Sequence, residues 1–405
     1  MLQLLFLLPL GAQPAAEAQN PSPTTRSELW NRMREQKVGA LYPPIRSGLE
    51  NFLYNFQEKR VLEKYLAGWH GLHPKSGGLH TGSGFSLGGE LRRQRLAGGI
   101  LDVRATSSFS IKRYQKHEFQ IGLPRLINQH HFLDFTFTYS NFPQEDFYGL
   151  GPRSRKEDRT SFRLENISYR GTVGMRWGKW ITTGLRGGLL ASSIGAGTDA
   201  RFPITQNLFT GRELPALYVQ PNYYLFGVFA EMDYRDEPGN PRAGGRYLGQ
   251  WNYFGDLNRS LHSFRRYEAE FQQYVPFFNL RRVFVLRAKT SLTDTSPGQS
   301  VPFYMQQTLG GSNDLRGFRD FRFRDKNLML YNLEYRWEVF SGLDMALFGD
   351  AGKVFSRRAR FNLANLENSY GIGLRFNQAK AVFLRIDIGN GREGRLLFIK
   401  FGHVF

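Results

Sequence analysis

Three stretches of this chain carry residue types at spacings that could do chemistry. The first is Gly84-Phe85-Ser86-Leu87-Gly88, a literal match to the G-x-S-x-G elbow that presents a nucleophilic serine. Such an elbow needs a strand, a sharp turn and a helix, with Asp and His following in an α/β frame. Here Gly89-Glu90-Leu91-Arg92-Arg93 and further strand-like segments follow, so serine chemistry is set aside and no enzyme is expected. The second is His70, His73 and His80, three imidazoles without regular metal-site spacing and without a cysteine. Exposed linker histidines are the plainer reading, and no metal is assigned. Gly149-Leu150-Gly151 precedes Pro152 and opens no helix, so no dinucleotide loop is read and no cofactor is expected. The third is Leu309–Asn327, LGGSNDLRGFRDFRFRDKN, with four arginines, three aspartates and three phenylalanines. Its chemistry is recognition by charge, because a guanidinium fork can bond two carboxylates at once.

The elements that must position this loop follow from composition and periodicity. The chain has 405 residues, a net charge of +19, 15% aromatic residues and no cysteine. Its only uninterrupted apolar run is Leu4–Leu10, far short of the ~18–20 residues of a spanning helix. That excludes a helical membrane protein but not a barrel, whose strands need one apolar face each. Lys and Arg are spread along the whole chain, which argues against nucleic acid. Anionic outer-membrane lipid or lipopolysaccharide is the better counter-charge.

Met1–Ala18 reads as an export signal, with Ala16-Glu17-Ala18 as the small-x-small cleavage pattern. Residues 19–78 read as a helical extension. Thr25 and Glu28 form a capping box for a helix ending near Lys37. Pro43-Pro44 opens a second helix, whose Ile45, Leu49, Phe52, Leu53 and Phe56 share one stripe. That stripe suits either packing on protein or a membrane-surface or barrel-plugging role.

From Leu79 onward the period is two. In Asn327–Phe340, Tyr331, Leu333, Tyr335, Trp337 and Val339 oppose Asn332, Glu334, Arg336 and Glu338. Leu133–Ser140 and Tyr224–Tyr234 alternate in the same way. About sixteen such segments follow one another, most near the ~9–11 residues of a tilted membrane strand. Charges of both signs sit deep in the polar faces, and aromatic residues gather near strand ends. An apolar exterior around a polar lumen explains both, and an even, closed count leaves no edge in hydrocarbon. The expected fold is all-β: a sixteen-stranded antiparallel transmembrane β-barrel over residues 79–405, with an inward-folded lumen loop.

The last segment alternates Leu397, Ile399 and Phe401 on one face and ends on Phe405. It resembles the C-terminal signal that outer-membrane assembly machinery reads, with His403 where an aromatic is usual. With that ending, Leu309–Phe321 resembles the inward-folded loop of the BamA/TamA superfamily of outer-membrane assembly barrels, the bacterial surface antigens. The carrying residues are Arg316-Gly317-Phe318, the companion Phe348-x-Asp350-x-Gly352, and the stretches Glu145–Phe162 and Tyr234–Tyr247.

The resemblance implies that the loop folds into the lumen between the eleventh and twelfth strands and that Arg316 reaches acids on the inner walls of the next two. Alternation independently puts Glu334 and Asp350 on those polar faces. The charges are then expected to sit in a wet, polar lumen; a solvated surface loop is the plain alternative. The family's polypeptide-transport-associated domains mix strands and helices, whereas residues 19–78 read as helix only. The resemblance therefore implies a member reduced to its barrel, at the bacterial outer membrane, with its extension on the periplasmic side. Expected partners are outer-membrane lipid and lipopolysaccharide, the assembly machinery for its own insertion, and a client protein or lipid, with a second copy also open. Thr81–Glu90, read as the first strand, contains Gly82, Gly84, Gly88 and Gly89. Glycine weakens strand pairing, which suits a seam that parts towards lipid or, equally, a tight bend. Two function classes stay open: an assembly or translocation barrel, and a passive pore or lipid-organising barrel without a client.

Overall fold

The computed structural model describes residues 69–401, apart from 128, 279, 379 and 380, and scattered positions between Thr25 and Asn51. The export signal, the stripe from Ile45 to Phe56, and Phe405 lie outside the described residues. Two units are present, Met1–Asn51 and Phe52–Phe405. In the first, the described positions from Arg26 to Lys37 are helical.

The second unit is built on one sheet of sixteen antiparallel strands in chain order. They run as β1 (Leu72–Gly78), β2 (Phe85–Arg95), β3 (Leu101–Ser110), β4 (Gln115–Leu126), β5 (His131–Phe147), β6 (Thr160–Trp177), β7 (Ile181–Ala196), β8 (Asn222–Asp233), β9 (Gly244–Asp256), β10 (Phe264–Phe277) and β11 (Arg282–Asp294). A long connection then carries two short strands, β12 (Gln307–Leu309) and β13 (Phe323–Asp325), which pair with each other. The sheet resumes with β14 (Asn327–Phe340), β15 (Leu343–Phe355), β16 (Glu367–Gln378), β17 (Ala381–Gly391) and β18 (Gly394–Phe401). β14 pairs with β11, so the loop Leu309–Asn327 falls between the eleventh and twelfth barrel strands.

Alternation decides which face each side chain takes. In β14, Tyr331 and Leu333 are exposed while Asn332, Glu334 and Arg336 are buried. Leu133, Phe135, Tyr224, Phe226, Val228, Phe271, Phe284 and Leu347 are likewise exposed on the outer face. Such a continuous belt far exceeds the apolar patches that soluble monomers expose, and hydrocarbon is the solvent that accepts it. The opposite faces hold cross-strand ion pairs, among them Arg104–Glu90 at 2.8 Å and Arg246–Glu231 at 2.6 Å. No helix among the described residues is long and apolar enough to cross a membrane, as the sequence implies.

Connections at one end are long, such as 197–221 and 295–326, and those at the other include short turns such as 178–180 and 341–342. β1 begins and β18 ends at the short-turn end. Part of the long-loop end is filled by apolar side chains. Phe147, Phe162, Leu214, Leu217 and Phe303 form one buried cluster, joining two long connections to the ends of β5 and β6.

Two placements differ from expectation. The barrel begins with Leu72–Gly78, ahead of the expected start at Leu79. Its Pro74, Lys75 and paired glycines carry no strand signal, and only pairing with β2 makes them one. Thr81–Glu90 is therefore the β1–β2 turn and the first half of β2, not the first strand. Gly82 and Gly84 lie in that turn at φ +81° and +73°. Gly88 and Gly89 lie on β2, which pairs with β1 on one side and β3 on the other. These glycines sit one strand in from the edge, and Gly88 fits the bend-and-packing alternative: a Cβ there would collide with Ser107 O.

Candidate functional site

The connection Leu309–Asn327 enters the barrel because its base is apolar and its tip is glycine. Phe318 is fully buried with Leu309, Leu315 and Phe323 of the loop and with Leu328, Leu330 and Val354 of the wall. At Gly352 on β15, a Cβ would lie 2.9 Å from Met329 O and 3.3 Å from the side chain of Leu309, so the loop base closes down on bare backbone.

Above that base Arg316 meets both predicted acids. Its backbone N–H and Nε donate to Asp350 Oδ2 at 3.1 and 2.9 Å, Nη2 donates to Asp350 Oδ1 at 2.7 Å, and Nη1 to Glu334 Oε2 at 2.5 Å. The guanidinium lies 3.6 Å from the centroid of the Phe348 ring. Arg316 has 0% exposure, so the wet lumen expected around it is absent at this point. Burial by itself would lower its pKa; Asp350 and Glu334 more than offset that and raise it, holding the group charged.

The network extends beyond the residues expected. Glu334 also accepts from Arg336 Nε at 2.6 Å and from Arg375 Nη2 at 3.1 Å. Arg375 Nη1 donates to Asp387 Oδ1 at 2.6 Å, and Arg385 Nη2 donates to Asn313 Oδ1 of the loop at 2.5 Å. Asn332 Nδ2 donates to Asp350 Oδ1 and to Asp314 O. The loop tip touches β17 backbone to backbone. A Cβ at Gly389 would collide with Arg316 O, and one at Gly317 would fall 2.7 Å from Gly391 N. The missed residues had a signal, since Arg385, Asp387, Gly389 and Gly391 alternate on one face of β17. That they meet the loop tip could be known only from the closed sheet.

Two more arginines fasten the loop across the opening. Arg322 Nε donates to Glu393 Oε1 at 2.8 Å, and Nη1 and Nη2 donate to Ser154 Oγ and Ser154 O at 2.9 and 2.7 Å. Arg324 Nη1 donates to Phe303 O at 3.1 Å, and Gly151 N–H donates back to Arg324 O at 2.7 Å. Burial lowers the Arg324 guanidinium to about 10, with Glu145 opposing, so it stays charged at neutral pH. Of the four loop arginines only Arg319 is exposed.

Where β1 and β18 meet, the sheet is built differently. Among the described residues no ladder joins them, although Gly77 and Phe401 are in contact, a Cβ at Gly77 lying 3.1 Å from Phe401 Cβ. Arg92 N–H donates to Gly71 O at 2.7 Å, which sets the parity of β1. Residues 71, 73, 75 and 77 turn their backbone groups to β2, and 72, 74, 76 and 78 turn theirs to the seam. Leu72 N–H is already taken by Trp69 O at 2.8 Å, and Pro74 has no N–H. The β1 side of the seam thus offers the donors of Ser76 and Gly78. Leu397, Ile399 and Phe401 lie exposed on the outer face of β18.

A family model described as the Omp85 superfamily domain matches residues 80–392. Among solved structures, BamA from Haemophilus ducreyi lacking POTRA domains 1–3 is similar with a TM-score of 0.62 and 15% identity, over 83% of this chain and 70% of that one. CdiB from Escherichia coli is similar with a TM-score of 0.56 and 15% identity, over 83% of this chain and 63% of that one. The chain thus spans less than two thirds of CdiB, and at these identities the likeness is one of fold. No match was found among the curated proteins.

Proposed function

The chain belongs to the Omp85 superfamily, whose members are outer-membrane barrels for insertion and translocation, and on that premise we propose that it handles a client protein or lipid at the seam between β1 and β18. The observation that carries this reading is the donor-poor edge of β1. A strand edge in hydrocarbon is costly unless paired, and this one keeps only the Ser76 and Gly78 donors to pair with. A client strand or the headgroup of a lipid could satisfy it in turn. Arg316, Gly317, Phe318, Glu334, Asp350 and Gly352 serve in this reading as the lock that keeps the lumen loop seated while the seam parts. In this reading the short-turn end, where β1 begins, is the periplasmic end by analogy with other outer-membrane barrels, and the extension is assigned to the periplasm. Leu397, Ile399, Phe401 and the terminal Phe405 serve as the signal for the chain's own assembly.

The test exploits the absence of cysteine. Gly77→Cys with Phe401→Cys places two thiols across the seam in an otherwise thiol-free chain, at some strain because Gly77 has φ +136°. The reduced protein is expected to rescue the outer-membrane defect of cells lacking the wild type, oxidation to abolish that rescue, and reduction to restore it. Full rescue by the cross-linked protein would sink the seam reading. The second reading, a passive pore, is favoured by the polar lumen cavity of about 680 Å³ lined by Lys116, Glu118 and Asn166. Sustained conductance of the wild type in planar bilayers would support it, and conductance seen only after Arg316→Ala would not.

A further inference from the structure

The loop that crosses the barrel mouth forms one wall of a second site. A cavity of about 1050 Å³ opens at the long-loop end between the β5–β6 connection, the β15–β16 connection and the β17–β18 turn. Seven basic side chains line it against three acidic ones. Three of the seven are matched: Arg322 with Glu393 at 2.8 Å, Arg392 with Glu367 at 2.6 Å, and Arg155 with Glu157 at 4.0 Å. The other four are Arg153, Lys156, Lys353 and Arg360. Among the described residues none of them has a carboxylate partner. Lys353 Nζ donates to Asn362 Oδ1 and Ala364 O, both at 2.8 Å, and Lys156 Nζ donates to Glu393 O at 3.4 Å; all three acceptors are neutral. With a net charge of +19 the chain carries many more cations than acids, and what sets these four apart is that they line one volume.

We propose that this cavity binds a ligand carrying two or more phosphate groups. Phosphate fits better than carboxylate, because several unmatched cations around one volume call for more than one negative charge per ligand group. Guanidinium forks such as those of Arg153 and Arg360 bond phosphate oxygens in pairs. The chemistry could come from the phosphorylated headgroup of an outer-leaflet glycolipid or from a soluble polyphosphorylated molecule. An occupant would also touch Arg322, and so lie against the outer side of the lumen loop. This inference stands apart from the seam and does not rest on the assembly reading.

The experiment uses the full chain in phosphatidylcholine nanodiscs, which supply no ligand of this kind. Inorganic tripolyphosphate is titrated by calorimetry, and a bis-phosphorylated glucosamine disaccharide lipid is doped into parallel nanodiscs and scored by native mass spectrometry. Saturable binding is expected, weakening as salt rises. Arg153→Gln and Arg360→Gln, both exposed and away from the fold, are each expected to cost about tenfold in affinity. Glu157→Gln is expected to tighten it. Binding of tripolyphosphate lost in the arginine variants supports the site with a soluble ligand; binding of the lipid alone, lost in the same variants, supports it with a headgroup. No binding of either probe, or binding unchanged in Arg153→Gln/Arg360→Gln, overturns the proposal.

Discussion

The wall formed by β14 to β17 and the seam between β1 and β18 are neighbours, yet they are built on opposite terms. Along the wall, strands of 11 to 14 residues are paired on both sides, and four arginines and three acids are buried in a shared network. At the seam, strands of 7 and 8 residues meet without a ladder among the described residues. One region concentrates charge-assisted bonds where no water competes. The other loses two of its four seam-facing backbone donors, Leu72 to a local turn and Pro74 to its ring. Because β17 pairs with β18 and also touches the loop tip, the two regimes are a single strand apart. On the proposed reading, β18 would part from β1 while the loop stays fastened to β17.

The contrast can be broken most severely at Arg316. Arg316→Ala leaves Glu334 and Asp350 buried without their shared cation, which is expected to cost about 3–5 kcal/mol. Proteolysis within 309–327 and a lowered unfolding midpoint are the measurements, and Arg316→Lys should recover only part of the loss because it lacks the fork. Next comes Gly389→Ala, whose methyl would collide with Arg316 O. Overpacking of about 1–3 kcal/mol is expected, with the loop cut faster by protease while the sheet itself persists. Pro74→Ala tests the other side by returning an N–H to the seam edge. It should stabilise the barrel by about 0.5–1.5 kcal/mol if β18 accepts that bond, and reduce outer-membrane rescue. A more stable protein with undiminished rescue would separate seam strength from function.

The smallest effect is expected from pH at Asp320. Burial pushes this carboxyl up, with Lys400 and Lys112 opposing. A raised folded-state pKa means the folded loop binds a proton more readily than the unfolded chain. Stability therefore falls as pH rises from the unfolded carboxylate value towards the folded one, and the cost is fully present above it. Asp320→Asn should flatten that slope in unfolding midpoints taken from acid to neutral pH, leaving the response of Arg316→Ala unchanged.

Much of the wall is legible in the amino-acid sequence. Alternation assigns Glu334 and Asp350 to inward faces, and the family resemblance carried by Arg316-Gly317-Phe318 implies their partner. Phe348 belongs to the motif that includes Asp350, but its role as a ring beneath the guanidinium is not legible, because a residue's type does not say what will be stacked on it. The seam is harder to place. Leu72–Gly78 has no alternation of its own and becomes a strand only by pairing with β2, whereas the glycine-rich stretch after it has the look of the weaker, first strand.

The residues alone determined that this chain makes long two-faced strands, because side-chain direction in a strand has a period of two and needs no partner to be read. They pointed too to wall carboxylates as partners for the loop's charge, with a solvated surface loop as the alternative. Which strand stands at the edge, which donors that edge retains, and that unmatched cations from three separate connections surround one cavity were decided only by closing the sheet. Those facts depend on register and on groups far apart in the chain, and no local pattern encodes a distance between residues that meet only when the barrel forms.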